Sequence, residues 1–567
     1  MKKIGIVGAG PGGLAAGILL ASKGFQVKIF EAESRVGGRN GSFSAEGYTF
    51  DIGPTFFMMP FVLEEIFAAA GKNLHDYVEM KLLDPYYQLL YADGSRMEPS
   101  FYPEKVKESI AGLNKNDVAG YQKYMQDNEK KMKYTLPVLQ RPYTSWSDLM
   151  NEDIIRLSRV LNPQRSLWKE LGTYFKDDRV KVGFTFQSKY LGMSPFNCPS
   201  LFSILPYTEY KWGVYHIMGG LNQLSLAMAR VFQELGGEIE LNREVTEIKI
   251  KEGKATGIKV AEKKNASSWE NQPQVKAEKS KKSAETQQKI SSQKSILKAE
   301  KTKGEEAYNQ EEAYYKFDEI IMNADFAWGM QNLIPNEKRK KYSDENLAKK
   351  RYSCSTFMLY LGVDRQYNHL KHNNVFLASD YRKNFLEIES DKKLSRDPSF
   401  YLQNATLTDP GLAPEGHNAL YLLVPVANLQ SQIDWQAEAE DFRSLMIDKL
   451  KSRAGLTDLE KHIQYEKMIT PLDWQNSLRV GYGATFNLGH NLKQMLIFRP
   501  RNKFEEFENL WLVGGGTNPG SGLPTIYESG RITANLLARK HGLDYNFDRR
   551  EKIEETFASA GKYEAFI

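Results

Sequence analysis

Residues 3–31 read KIGIVGAGPGGLAAGILLASKGFQVKIFE, and this stretch decides the fold. Lys3–Val7 is a short apolar run of strand type, and Leu14, Ile18, Leu19 and Ala21 recur with helical spacing. Gly24 closes that helix and Val27–Phe30 gives a second strand, so the chain opens as β-α-β. Between strand and helix, Gly8-Ala9-Gly10-Pro11-Gly12-Gly13 forms G-x-G-x-x-G. The motif is weak alone and informative in this setting. Gly8 permits the tight turn, Gly10 lets backbone approach a pyrophosphate, and Gly13 lets the helix lie close to the strand. The helix N-terminus then presents N–H groups and its positive dipole end to phosphates. Glu31, 18 residues after Gly13, ends the second strand with a carboxylate able to accept hydrogen bonds from ribose hydroxyls. Lys2 and Lys3 before a small-residue apolar run also resemble a secretory signal, but glycines interrupt its apolar core and favour the cofactor reading.

The next residues favour FAD over NAD. Arg35-Val36-Gly37-Gly38-Arg39 allows a second close backbone approach and offers two cationic forks for a diphosphate. Asp51-Ile52-Gly53-Pro54-Thr55 follows, and a plain NAD half-fold has no need of these clusters. Far away, Gly514-Gly515-Gly516-Thr517-Asn518-Pro519-Gly520-Ser521-Gly522 lies between a strand at Leu510–Val513 and a helix over Thr525–Ala538. So many glycines point to backbone held against a ligand or turning sharply. A helix N-terminus there could face the polar edge of a flavin. The reading requires the two chain ends to meet at one cofactor.

Together, the block through Arg39, the Phe50–Pro60 stretch and the Asn509–Arg531 block resemble the bacterial-type phytoene desaturases, FAD-dependent carotenoid desaturases related to the flavin amine oxidases. Met58-Met59-Pro60, Ala70-Gly71-Lys72-Asn73, Tyr352–Asp364 and Asp380–Ile388 look most like the members acting on 4,4′-diapophytoene. The resemblance implies an α/β fold: a Rossmann-like FAD-binding domain, a mixed-sheet substrate domain and a helical, membrane-associating region. It implies that Gly8, Gly10, Pro11, Gly12, Gly13, Glu31, Arg35, Gly37, Gly38 and Arg39 hold the ADP half of FAD, with Gly53, Pro54 and Thr55 nearby. Val245 would contact the adenine through its backbone. Gly515, Gly516, Pro519, Gly520, Gly522 and Leu523 would lie beside the isoalloxazine. Where the family usually has His, this chain has Asn518, which can donate a hydrogen bond and cannot titrate.

The implied reaction is desaturation of a linear carotenoid precursor, 4,4′-diapophytoene or phytoene, by hydride transfer to flavin, with oxygen or a quinone as electron acceptor. No catalytic acid or base is assigned; Glu209 and His216 are candidates only. A substrate without polar groups must be held by apolar burial, at about 25 cal/mol per Å². Phe56–Leu63 and Phe202–Tyr215 are candidate tunnel walls, with ordinary core as the equal alternative for both. Rival readings are a carotenoid oxygenase, ketolase or isomerase, an amine oxidase, and a non-catalytic lipid- or prenyl-binding protein on the same fold.

The remaining chain sets bounds. Its 567 residues carry 76 Lys+Arg against 71 Asp+Glu, too small an excess to call for nucleic acid. Two cysteines, Cys198 and Cys354, exclude a disulfide framework and suggest a reducing compartment. No apolar run reaches bilayer length. The cations, aromatics and aliphatics between Lys130 and Trp146 suit a membrane interface, although an amphipathic core helix ending at Pro137 fits them too. A cytoplasmic, peripherally membrane-associated enzyme is expected. His369 and His372 lack further ligands and read as solvated, with no metal. The expected division is 1–60, 216–261, 313–330 and 506–567 for the FAD-binding domain, 61–215 for a helical substrate and membrane-contact region, and 331–505 for the substrate domain. Residues 262–312, rich in Lys, Glu, Gln and Ser, read as a disordered insertion, between strands near Gly257–Val260 and Lys316–Met322. Further strands are expected at Ser355–Val363 and Ala419–Val426, with a helix over Glu438–Ser452.

Overall fold

The fold follows from a computed structural model that describes residues 1–162, 164–263, 312–543 and 552–558. The insertion expected at 262–312 lies almost wholly outside the described residues. A five-stranded parallel sheet runs in the order Leu510–Leu512, Glu319–Met322, Lys3–Val7, Gln26–Phe30, Glu238–Glu240. Its central strand pairs on both edges, Ile6 opposite Ile29 and Ile321, so it carries apolar residues on both faces. The helix Pro11–Ala21 is buried at every position. It lies between this sheet and the helices Asn222–Glu234 and Leu523–Lys540, which explains why its text is apolar all round. Beside this unit a three-stranded antiparallel sheet joins Arg243–Lys251, Lys254–Glu262 and Ala313–Lys316. The single strand expected at Lys316–Met322 is thus two, in different sheets, because the chain turns at Phe317-Asp318.

A seven-stranded sheet forms the second layer system, in the order Ile463–Ile469, Ser355–Val363, Asn418–Val426, Phe400–Asn404, Asn373–Phe376, Gln88–Leu90, Arg96–Met97. It is mixed: Asn373–Phe376 runs parallel to Gln88–Leu90 and the other pairs are antiparallel. Ser355–Val363 is buried at all nine positions. Phe357, Leu359 and Leu361 pack under the helix Trp435–Arg453, while Met358 and Tyr360 face Phe43 and Phe50. Each such side chain contributes roughly 1.5–3 kcal/mol by burial.

The 61–215 region is less helical than its sequence period implies. It contains the helices Phe61–Ala69, Pro103–Asn114, Val118–Leu139 and Ile204–Trp212, but also strands at Met80–Leu82, Gln88–Leu90 and Arg96–Met97. The last two belong to the mixed sheet. Val118–Leu139 runs through Pro137 instead of ending there. Part of the expected membrane stretch is interior: Lys131, Leu136, Val138 and Tyr143 are buried and Lys131 pairs with Glu170 at 2.8 Å, whereas Trp146 is exposed. Among the described residues no helix is long and apolar enough to cross a membrane.

Candidate functional site

Four of the five parallel strands deliver residues to one cavity at their carboxyl ends. These are Gly8 after Val7, Glu31 after Phe30, Asn323 after Met322 and Gly514 beyond Leu512. Gly8 takes φ +96°, in the left-handed region where a side chain is strained. A Cβ on Gly13 would stand 2.5 Å from the Gly8 carbonyl oxygen, and one on Gly12 would stand 2.6 Å from Val513 Cγ1. These two positions are closed by packing. Gly10 meets only Asn323 Nδ2 within 4 Å, at 3.1 Å, and lines the cavity, so backbone can approach a ligand there.

Glu31 grips this turn. Its Oε2 accepts from Ala9 N–H at 2.7 Å and its Oε1 from Glu33 N–H at 3.0 Å. Burial pushes its pKa up against those two hydrogen bonds. Beyond it, Arg479 donates to Glu33 at 2.8 Å and to Glu244 at 2.9 Å, and all three line the cavity with Val245. Arg39 donates to the Thr485 carbonyl at 2.8 Å and to Asp325 at 3.2 Å. The Asn487 amide, oriented to satisfy both, accepts from Arg39 at 2.9 Å and donates to Asp325 at 2.9 Å. Burial pushes the Asp325 carboxyl up, against the pull of Arg39.

The far wall is the C-terminal glycine loop. Gly514, Gly515, Gly516, Ser521 and Gly522 all line the cavity, and Gly522 caps the helix Leu523–Lys540. Arg499 is fully buried behind the loop and donates to the carbonyls of Gly515, Thr517, Gln494 and Leu488 at 2.6–3.3 Å. Burial lowers its pKa to about 9. His490 Nε2 accepts from Ser521 N–H at 3.0 Å, which places any ring proton on Nδ1; burial, with Arg499 adding, holds its pKa well below the ordinary value. The two chain ends touch directly: a Cβ on Gly530 would stand 2.6 Å from the Gly12 carbonyl oxygen.

Of the residues singled out by sequence, Gly8, Gly10, Pro11, Gly12, Glu31, Arg35, Gly38, Arg39, Gly53, Pro54, Thr55, Val245, Gly515, Gly516, Gly522 and Leu523 share this cavity of about 450 Å³. Gly13, Gly37, Pro519 and Gly520 are not in its wall. Gly13 sets the turn, Gly37 (φ +110°) packs against Asn40 and Asn222, and Gly520 packs against His490. Asn518 points away from the cavity, its amide donating to the Arg141 carbonyl at 3.0 Å, so at this position the chain carries a structural tie. Phe56 and Met58 do line the cavity, but the Phe202–Tyr215 stretch does not: it is core. The opposite wall comes from Tyr87, Phe186, Val375, Phe400 and Leu423. Glu209 sits one shell out, accepting from Tyr87 Oη at 2.6 Å, and His216 pairs with Asp409 at 3.2 Å. His372 is buried and bonded to Thr408 and Gln403, which overturns the solvated reading there, whereas His369 is exposed and bonds the Ala454 carbonyl. Among the described residues no cluster could hold a metal ion. Asn323, Asp325, Arg479 and Asn487 went unnoticed in the sequence, being single polar residues whose partners are distant in the chain.

This cradle fits a dinucleotide with a flat, partly polar ring system. It has one open glycine edge at a helix start, one buried acid, and a second glycine loop facing the first.

Comparison with known proteins agrees. The profile of the flavin containing amine oxidoreductases matches residues 11–267. A 4,4′-diapophytoene desaturase (4,4′-diapolycopene-forming) of Methylomonas sp is 42% identical over 95% of this chain and 96% of its own length. An all-trans-zeta-carotene desaturase of Myxococcus xanthus is 32% identical over 96% of this chain and 94% of its own. The crystal structure of an oxidoreductase from Methanosarcina mazei shares the fold, with a TM-score of 0.57 at 16% identity, covering 93% of this chain and 99% of that one. Fold and cradle define an FAD-dependent oxidoreductase of the flavin amine oxidase type. Within that class, the chain belongs to the carotenoid desaturase family.

Proposed function

We propose that this enzyme desaturates a linear C30 precursor, 4,4′-diapophytoene, with FAD held between the two glycine clusters. The observation that carries the reading is one continuous cavity, glycine-lined at one end and walled by aromatic and aliphatic side chains at the other. The C30 preference rests on the higher identity to the diapophytoene desaturase than to the zeta-carotene desaturase. Glu31 would hold the ribose, Gly10 with Arg35 and Arg39 the diphosphate, and the Gly515–Leu523 loop the ring. Bound FAD supplies the acceptor for a hydride from an allylic C–H. The chain's own part is to align the polyene and keep water out, through Phe56, Met58, Tyr87, Phe186 and Leu423. Oxygen or a quinone takes the electrons at the end of the cycle.

The substrate arrives from a membrane, and one surface suits that. Trp146, Met150 and Phe498 are 65%, 74% and 48% exposed, and the Trp146 and Phe498 rings meet edge to face at 5.5 Å. Their chain neighbours Tyr143, Leu149 and Ile497 belong to a small satellite core with Val138 and Leu157. We assign this patch, which keeps only the Trp146 end of the Lys130–Trp146 stretch, as the surface resting on lipid. Co-sedimentation with anionic vesicles checks it: a Trp146→Ser/Phe498→Ser double variant is expected to stay in solution where the parent pellets.

Pigment mass analysis in cells supplied separately with C30 and C40 precursors tests the function. Added double bonds on the C30 chain are expected. Aldehyde or ketone products, which an oxygenase or ketolase would give, overturn the reading. So does a purified protein that cannot take up FAD, the expectation for a binding protein on this fold.

A further inference from the structure

The cavity wall holds one basic side chain that nothing above uses. Phe186–Leu191 is a 3₁₀ helix. Its three-residue turn places Phe186 and Lys189 on one face, and both line the cavity. Other charged groups of the wall have roles: Arg35 is assigned to the diphosphate, Arg39 meets Asp325, Arg479 meets Glu33 and Glu244, and Glu31 meets two backbone N–H groups. Lys189 has no ion-pair partner among the described residues. Its Nζ instead lies over the rings of Tyr381 and Phe385, at 5.3 and 5.0 Å from their centroids.

We propose that Lys189 is the proton acceptor of the desaturation, receiving at Nζ the hydrogen that leaves as a proton from the carbon next to the one that gives up hydride. The inference rests on the desaturase reading above. The balance is complete. One C–H bond leaves with its electron pair for the flavin, the oxidant of this enzyme class, and an allylic cation remains. The neighbouring C–H pair becomes the new C=C bond, and its proton takes the lone pair of the amine. The ammonium so formed is stabilised by the two ring faces beneath it and returns its proton to water before the next cycle. A neutral amine is required twice over: it must accept the proton, and it must not repel the developing cation.

The surroundings favour that neutral form. Burial pushes the Lys189 pKa down to about 7. The Cys354 thiol is itself pushed up to about 12 and stays uncharged. On the helix Tyr381–Glu389, the Tyr381 hydroxyl is pushed up by burial, and Arg382 lies over the Phe196 ring. Glu389 is occupied by Ser194 N–H and the Asn197 amide, and burial raises its pKa.

The test uses the FAD-loaded enzyme. The single-turnover rate of the first desaturation should rise about tenfold per pH unit below pH 7 and level off above it. Lys189→Met should lower that rate by about 10²–10⁴-fold and abolish the acid limb, with flavin content unchanged. Lys189→Arg keeps a cation over the rings but cannot release its proton, so it should be no faster than Lys189→Met. If Arg restores the rate, the side chain is a structural cation and the proposal falls. It falls too if Lys189→Met stays within threefold of the parent. A readout independent of turnover uses wild-type enzyme, so misfolding of a variant leaves the question decidable. Amine acylation at Lys189, followed by mass spectrometry across pH, should show a midpoint near 7. A midpoint near that of an ordinary lysine, about 10.4, overturns the assignment. Should wild type itself add no double bonds, the desaturase reading fails first.

Discussion

Replacing Glu31 by Gln probes the cradle with the least disturbance. The carboxylate binds two backbone N–H groups, of Ala9 at 2.7 Å and Glu33 at 3.0 Å, in a site only 7% exposed. The isosteric amide keeps one oxygen for one of these donors and turns an NH₂ toward the other. Leaving a buried N–H without an acceptor costs about 1–3 kcal/mol. Loss of the charged acceptor for the ribose weakens FAD by a further ~1.5–3 kcal/mol, roughly 10- to 150-fold in Kd. Glu31→Arg is a blunter probe, because it must bury a guanidinium where the glycine turn needs an acceptor. Titration of apo-protein with FAD, followed by flavin fluorescence, reads the affinity, and urea unfolding without FAD reads the turn. Equal FAD affinity in the Gln variant would remove the ribose role; equal stability without FAD would show that the carboxylate does not hold the turn.

Other variants test other parts. Asp51 is half-buried, accepts from Leu221 N–H, and is raised by desolvation to about 6 from 3.8. Its ionisation therefore opposes folding, so this group's contribution is present below pH 4 and lost as pH rises toward 6, an upper bound of about 3 kcal/mol. Asp51→Asn should flatten the stability–pH curve in that window, as measured by urea midpoints. Arg479→Met leaves Glu33 and Glu244 at the cavity edge with a compensating cation removed, an expected loss of about 2–4 kcal/mol, and flavin content after purification should fall. Gly530→Ala drives a methyl against the Gly12 carbonyl oxygen, costing about 1–3 kcal/mol; a melting temperature equal to the parent's would show that the two helices are free to part. Asn518→Ala should cost about 1 kcal/mol by losing the bond to Arg141 while leaving the flavin spectrum unchanged.

The legible parts of the chain were those where one short segment contains the whole argument. The first strand, turn and helix declare themselves because the turn's glycines and the helix's apolar text are contiguous, and Ser355–Val363 was readable because a strand buried on both faces is a continuous apolar run. The strands at 88–90 and 96–97 were not, being too short to show a period of two and flanked by helical text. At the site, glycine clusters advertise close approach. Arg479, Asp325 and Asn487 do not, because their meaning lies in pairings such as Arg479–Glu33, 446 residues apart. The stretch Lys130–Trp146 stays open between membrane face and core helix in the text, since a buried ion pair and a wet one look alike there. Lys131 is inside with Glu170, whereas Met150 and Phe498 carry the exposed apolar surface.

The parallel sheet joins strands that begin at residue 3 and finish at residue 512, with the outermost placed last. During synthesis the cofactor unit therefore stays open until the strand Leu510–Leu512 has left the ribosome. The early strands must wait with an unpaired edge, a state prone to aggregation. Flavin can be captured fully only as the C-terminal loop arrives, so supply of the vitamin at that moment should govern how much of the newly made enzyme survives.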